Sequence, residues 1–136
     1  MFIINEKKKE IHVTRGDIGS VEVLADISDD PEIEKLYVFQ PGDVVRFKVF
    51  DRKNVDNIQI KKDVIVSEET EVVNIPLTKE NTKIGGLINK PVKYWYEIEL
   101  NPDTNPQSIV CYDEKIEGQD GTGEKLFILY PEGDEE

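Results

Sequence analysis

The segment from Tyr94 to Asp113 constrains the fold of this chain most strongly. In its first part, YWYEIEL, apolar side chains alternate with Trp95 and with glutamates, which is the period-two pattern of a strand with one buried face. Asn101–Pro106 follows, with prolines that cannot donate to a strand ladder and with Asn and Asp, which favour turns. A second apolar run, SIVCY, comes next. The segment therefore predicts a β-hairpin.

Short runs of the same kind recur along the chain and are separated by turns that contain Gly, Pro or Asp. Short strands at such spacing are typical of an antiparallel Greek-key sandwich or a barrel. No long helical periodicity supports units in which strands and helices alternate. The other predicted strands are Ile11–Val13, Val21–Ile27, Val44–Asp51, Ile58–Val66, Glu71–Leu77 and Lys125–Tyr130.

Three segments differ from this pattern. Thr78 is placed to cap a single helical turn over Lys79–Thr82, because its hydroxyl can accept a hydrogen bond from a free backbone N–H. Glu32–Gln40 is ambiguous and fits either a helical turn or a strand. Phe2–Ile4 fits either a short strand or a tail.

The residues of one parity in each predicted strand are expected to form the core, since successive side chains of a strand point to opposite faces. The core predicted in this way contains Val21, Val23, Phe47, Val49, Ile58, Ile60, Val73, Ile75, Tyr96 and Ile98.

Length and charge limit the classes of function. A chain of 136 residues is expected to form one domain, here residues 11–131, with residues 1–10 as an N-terminal arm and 132–136 as an acidic tail. A formal charge of −12 argues against nucleic acid and against anionic membranes as partners. No apolar run has the length of a membrane span, and the N-terminus has no export-signal pattern.

Few residues suggest chemistry. His12 and Cys111 are the only residues of their types, too few for a zinc site without carboxylates, and no nucleophile motif accompanies His12. The tripeptide Arg15–Asp17 spells RGD, associated with cell adhesion, but Gly-Asp is also what a turn between strands requires. Asp113–Glu124 is an acidic, Gly-rich segment, expected to be an exposed loop, with calcium binding as the alternative. We therefore expect no enzyme activity and no cofactor.

Trp95 is the strongest candidate for an interaction residue. The other parity of its strand faces the core, so Trp95 is expected to point outward together with Glu97 and Glu99. If the hairpin pairs symmetrically about its loop, Tyr112 lies opposite Trp95, and Val110 lies beside them. This outward cluster predicts an interface whose glutamates form a polar rim and select a basic partner. The alternative is that parts of the same chain cover it.

Several segments together resemble small immunoglobulin-like β-sandwich proteins of bacteriophages and prophages of Gram-positive bacteria. They are similar in particular to the N-terminal domains of baseplate upper and tail-fibre-associated proteins. The resemblance rests on turns and core aromatics, and it carries over no catalytic residue. The segments are Thr14–Asp17, Phe39–Phe50, Ile75–Gly85, Tyr94–Glu114 and Lys125–Gly133.

The resemblance implies an all-β, immunoglobulin-like antiparallel β-sandwich of seven or eight strands with one short helical turn. It implies a non-enzymatic structural or adaptor component of a phage or prophage particle, in the tail, the baseplate or a head fibre. Its partners would be other virion proteins or further copies of itself, and it would reside in the bacterial cytoplasm before assembly into the virion. The alternative is a bacterial surface module that binds a carbohydrate or a protein.

Overall fold

A computed structural model describes residues 2–5, 10–25, 27, 32–33, 35–52, 54–84, 88–110 and 125–132. Most of these residues lie in strands, as the alternating sequence pattern predicts. The elements are β1 (Phe2–Asn5), β2 (Glu10–Thr14), β3 (Gly19–Val23), β4 (Val44–Asp51), β5 (Asn54–Ile65), β6 (Val73–Leu77), α1 (Lys79–Thr82), β7 (Val92–Leu100), β8 (Gln107–Val110) and β9 (Leu126–Tyr130).

The strands form two sheets in a sandwich-like arrangement. The large sheet has the order β1-β2-β9-β7-β4-β5, and β8 continues along the edge of β7 beyond β9; β3 and β6 form the second sheet. The all-β prediction is confirmed, but the sheets are not purely antiparallel. Strand β2 runs parallel to β9, with Ile11 opposite Phe127. The two strands lie far apart in the sequence, so no tight hairpin forces them to run in opposite directions.

The core lies between the sheets and contains nine of the ten residues that parity predicts. Phe47 is fully buried, and its ring contacts those of Tyr96 and Phe127 at centroid distances of 5.7 and 6.3 Å. Such tilted aromatic contacts contribute beyond the buried area alone. The sandwich is therefore centred on β4, β7 and β9.

Ile58 was wrongly assigned to the core, because its side chain is 46% exposed. Ile60 lies opposite Val49, but the next pair is Ile58 with Phe50, so Gln59 is an extra residue in β5. One extra residue reverses the parity of a strand. Ile58 consequently shares the outer face of the sheet with Phe50.

The helical turn predicted after Thr78 is present, and the cap is as predicted. The hydroxyl of Thr78 accepts a hydrogen bond from the backbone N–H of Asn81, and the Asn81 side chain accepts one from the N–H of Thr78. The fully buried Thr82 then joins α1 to the turn after β2. Its hydroxyl accepts from Gly16 N at 3.0 Å and donates to the carbonyl of Asp17 at 2.8 Å.

In the ambiguous segment before β4, Glu32 and Ile33 lie in a turn, and the described residues from Lys35 onward pair with other parts of the chain. The N–H of Tyr37 donates to the carbonyl of Ala25, and the N–H of Ile27 donates to the carbonyl of Lys35. Phe39 is fully buried and forms a single bridge with Thr70. The described residues of this connection therefore pair as in an irregular hairpin, and they do not form a helical turn.

The N-terminal segment, predicted as either a short strand or a tail, forms the strand β1. The ring of Phe2 in this strand lies over Gly19 of the second sheet. A Cβ on Gly19 would overlap this ring, so we expect Gly19→Ala to lower the free energy of unfolding by about 1–3 kcal/mol. Chemical denaturation measures the loss. In the double variant with Phe2→Ala, the loss should be smaller than the sum of the two single losses. Full additivity would show that the two residues are not in contact.

Candidate interaction surface

Trp95 lies on the outer face of the large sheet, the face opposite to Tyr96 and Ile98. It is half-buried, and its ring meets that of Phe50 edge-on, with the centroids 6.5 Å apart. In the register of the sheet, Trp95 lies opposite Phe50 on one side and opposite Leu126 on the other. Residues that face each other in neighbouring strands share a face. The three side chains therefore form one row across β4, β7 and β9.

Sequence reasoning missed two members of this row, Phe50 and Leu126, which are both buried. Strand β9 reads LFILY and is apolar at successive positions, a pattern typical of a strand that is covered on both faces. That pattern is the signal that the outer face of the sheet also carries apolar residues. Ile58 extends the row onto β5, where it is exposed. We call Phe50, Ile58, Trp95 and Leu126 the outer apolar row.

The register of the β7–β8 hairpin agrees with the predicted one only next to the loop. Leu100 lies opposite Gln107, as loop symmetry requires, but Val110 lies opposite Ile98 instead of Glu97. The backbone therefore does not bring Val110 into the predicted pairing beside Trp95. Tyr112, the other predicted partner of Trp95, lies outside the described residues, and the interface itself stays a prediction.

Glu97 and Glu99, the predicted polar rim, are paired within the molecule. The ammonium group of Lys48 lies 2.7 Å from a carboxylate oxygen of Glu97 and 3.3 Å from one of Glu99. Burial by itself lowers the pKa of Lys48, but hydrogen bonds and charge attraction from the two glutamates outweigh it and hold the pKa above its usual value. Much of the negative charge expected to select a basic partner is thus already compensated.

A second ion-pair group lies on the same face, farther along β4. The guanidinium of Arg46 binds both carboxylate oxygens of Asp63 on β5, at 2.8 and 2.9 Å, and both of Asp103 in the loop after β7, at 3.2 and 2.9 Å. These hydrogen bonds are the main reason that the pKa values of Asp63 and Asp103 lie below their usual range. Arg46 thereby ties the loop to the edge strand across β4.

Hydrogen bonds also connect the loops at this end of the sandwich. Asp43 accepts from the hydroxyl of Tyr37 at 2.7 Å, from the backbone N–H of Gln40 at 2.9 Å and from the amide of Asn101 at 3.1 Å. The Asn101 side chain in turn accepts from the N–H of Val44 at 2.8 Å. Asn101 has a φ of 49°, a left-handed conformation that Asn tolerates better than most residues. This network holds the start of β4 against the end of β7.

The residues considered for chemistry have structural contacts. Nδ1 of His12 lies 2.7 Å from the hydroxyl of Tyr130, and Nε2 lies 3.2 Å from a carboxylate oxygen of Glu10. The side chain of Arg15 is only 12% exposed and pairs with Glu132 at 2.6 Å. Cys111 and the acidic segment Asp113–Glu124 lie outside the described residues.

The described part of the chain contains neither a group of metal-binding side chains nor a membrane-spanning helix. Within it, no three His, Cys, Asp or Glu side chains are grouped so that they could hold a metal ion. Its helix, α1, has four residues, and no described helix is long and apolar enough to cross a membrane.

Comparisons with models of protein families, with curated proteins and with solved structures found no match to this chain. The function must therefore be inferred from the residues and their geometry.

Proposed function

We propose that this chain is a non-enzymatic, immunoglobulin-like adaptor that acts by binding other proteins. The strand order supports the immunoglobulin-like assignment. In a variable-type domain, strands C′, C, F and G form one sheet, and strands B and E belong to the other. Here β5, β4, β7 and β9 are neighbours in that order, and β3 pairs with β6. Along the chain, these strands also follow one another as B, C, C′, E, F and G do.

The outer apolar row is the observation that carries the adaptor proposal. It lies on the sheet face turned away from the core, and Ile58 at its end exposes nearly half of its surface. Phe50 and Leu126 are already buried, so the gain falls to Ile58 and to the exposed part of Trp95, which gain free energy when a partner removes them from water, at roughly 25 cal/mol per Å² of apolar area. Beside the row, Lys48 pairs with two glutamates, so a partner that covers this region meets a net charge of −1 there instead of −2.

The proposed setting is a phage or prophage particle, with another virion protein or a second copy of the chain as the partner. The support for this setting is the resemblance of five segments to immunoglobulin-like phage proteins. Adaptor function requires contact alone, which agrees with a surface made of an apolar row and partly compensated charges.

The proposal predicts that Ile58→Asp weakens association by about tenfold or more, because it places a charge in the contact. Sedimentation velocity over a range of protein concentrations measures self-association, and co-sedimentation with particles of the encoding phage measures binding to virion proteins. Trp95→Ala should weaken the same association, and it should also lower the melting temperature, because the half-buried indole packs against the ring of Phe50.

Ile18→Asp is the matched control, because Ile18 is exposed in the turn between β2 and β3, away from the outer apolar row. It should leave both measurements unchanged. Equal effects of the two aspartate variants would contradict the assigned surface. A large loss of melting temperature in Trp95→Ala, with association intact, would show that Trp95 acts only in folding.

A further inference from the structure

A second surface feature lies at the end of the sandwich where β2 and β9 end and α1 begins. Three cationic side chains, Arg15, Lys79 and Lys83, line one open pocket there. Lys79 and Lys83 are four residues apart at the helical turn, so they lie on the same side of it. Asp17 and Glu132 also line the pocket, so its three cations face two carboxylates and leave a net charge of +1, which is still a local reversal of sign in a chain with a formal charge of −12. The pocket therefore attracts anionic groups.

Glu132 shows which kind of anion the pocket accepts. Its carboxylate lies in the pocket and pairs with the guanidinium of Arg15 at 2.6 Å. Arg15 also donates from Nε to the carbonyl of Ile84 at 3.4 Å, which holds the guanidinium in position for a carboxylate. A charge-assisted contact with a guanidinium oriented in this way is among the stronger hydrogen bonds in proteins.

The two lysines of the pocket differ from Arg15 in their pairing. Lys79 and Lys83 are exposed, and neither forms an ion pair within the part of the chain that the structure describes. The stem of Lys83 lies close to Gly16, with its Cε atom 3.2 Å from the position that a Cβ of Gly16 would take. Gly16 has a φ of 90°, a conformation that favours glycine, and a side chain there would meet the stem of Lys83 and a carboxylate oxygen of Glu132.

We infer that this pocket binds the carboxylates of an acidic peptide segment, and that Glu132 is its internal ligand. An acidic segment of another protein replaces Glu132 on Arg15 and pairs with Lys79 and Lys83. The RGD tripeptide is then the wall of this pocket rather than an adhesion motif, since Thr82 and Glu132 already hold its backbone and its arginine. The inference does not depend on the outer apolar row or on the proposed adaptor role.

The probe is a synthetic peptide with the acidic sequence YPEGDEE of residues 130–136, titrated into the folded chain at low salt. Calorimetry should show saturable binding that weakens as salt is added. Glu132→Gln should strengthen binding about fivefold, because it removes the internal competitor from Arg15. A control peptide in which Gln and Asn replace Glu and Asp should not bind.

Lys79→Glu combined with Lys83→Glu should weaken peptide binding at least about tenfold. Lys61→Glu with Lys90→Glu is the matched control, because it makes the same charge change at two other exposed lysines and should have a smaller effect. If the doubly reversed variant does not fold, Lys79→Gln with Lys83→Gln serves in its place. Absence of saturable binding to Glu132→Gln, or equal losses in the two charge-reversed pairs, would overturn the inference. Equal binding of inorganic phosphate would also overturn it, by reducing the pocket to an unselective anion site.

Discussion

Replacement of Phe47 by alanine is expected to lower the free energy of unfolding by about 3–5 kcal/mol. Phe47 is fully buried in the middle of β4 and contacts the rings of Tyr96 and Phe127. Truncation removes these contacts and leaves a cavity that strands on both sides of β4 can fill only in part. Urea denaturation of wild type and variant measures the difference from the shift in midpoint.

Ile58→Ala is the matched control for this prediction. Phe47 lies on β4 and Ile58 lies on the neighbouring strand β5, and parity assigned both residues to the core. The exposed position of Ile58 limits the expected loss to about 1 kcal/mol or less. A loss at Ile58 equal to that at Phe47 would show that β5 lacks the extra residue and that Ile58 faces inward. A small loss at Phe47 would contradict the two-sheet core itself.

Alternation along the sequence predicts the core well because each strand has one face against the other sheet. The pattern gives the bounds of β4 correctly as Val44–Asp51, and it puts Tyr96 and Ile98 on the inner face. It fails at Ile58 for a definite reason. The extra residue Gln59 arises from how β5 pairs with β4, and neither strand alone contains that information.

The candidate surface is predicted less completely. Parity correctly gives the face on which Trp95 lies, but it does not show that Phe50 and Leu126 share that face. Their positions follow from which strands become neighbours, and β9 is separated from β7 by a long stretch of chain. The hairpin shows the same limit, because its register changes after two pairs. Sequence patterns thus give the direction of a side chain within a strand, whereas its neighbours depend on pairing.

Ion pairs across strands are also beyond the reach of the sequence pattern. Arg46, Asp63 and Asp103 lie on three different elements, and only the assembled sheet brings them together. The same holds for Asp43, which accepts hydrogen bonds from Tyr37 and from Asn101, 58 positions farther along the chain. Asp43 reads in the sequence only as part of the Pro-Gly-Asp turn.

Asp43→Asn is expected to lower the free energy of unfolding at neutral pH by about 2–3 kcal/mol. The carboxylate accepts hydrogen bonds at both oxygens, from Gln40 and Tyr37 at one and from Asn101 at the other. In asparagine, an NH₂ group replaces one of the two acceptor oxygens. The NH₂ group is itself a hydrogen-bond donor, so it cannot accept from the donors that face it. At least one of the three bonds is then lost, and the connection between the start of β4 and the end of β7 is weakened.

The loss should also depend on pH in a definite direction. Burial by itself raises the pKa of Asp43, but the hydrogen bonds from Gln40, Tyr37 and Asn101 outweigh it and hold the pKa below its usual value. A carboxyl whose pKa is lowered by folding stabilises the protein fully above its unfolded pKa of about 4, and the stabilisation is lost as the pH falls through the folded value. Since asparagine does not titrate, the difference between wild type and variant should be constant from about pH 5 to pH 8 and shrink below about pH 4.

Denaturation of both proteins over this pH range tests the prediction. The pKa values of Asp63 and Asp103 are also lowered, but these residues are present in both proteins, so their acid titration cancels in the difference. Asp56→Asn, at an exposed position on β5, is the matched control and should change stability by less than about 0.5 kcal/mol. A difference for Asp43→Asn that stays constant down to pH 2 would mean that the amide acts through packing alone. In that case the carboxylate charge of Asp43 would not be what joins the loops at this end of the sandwich.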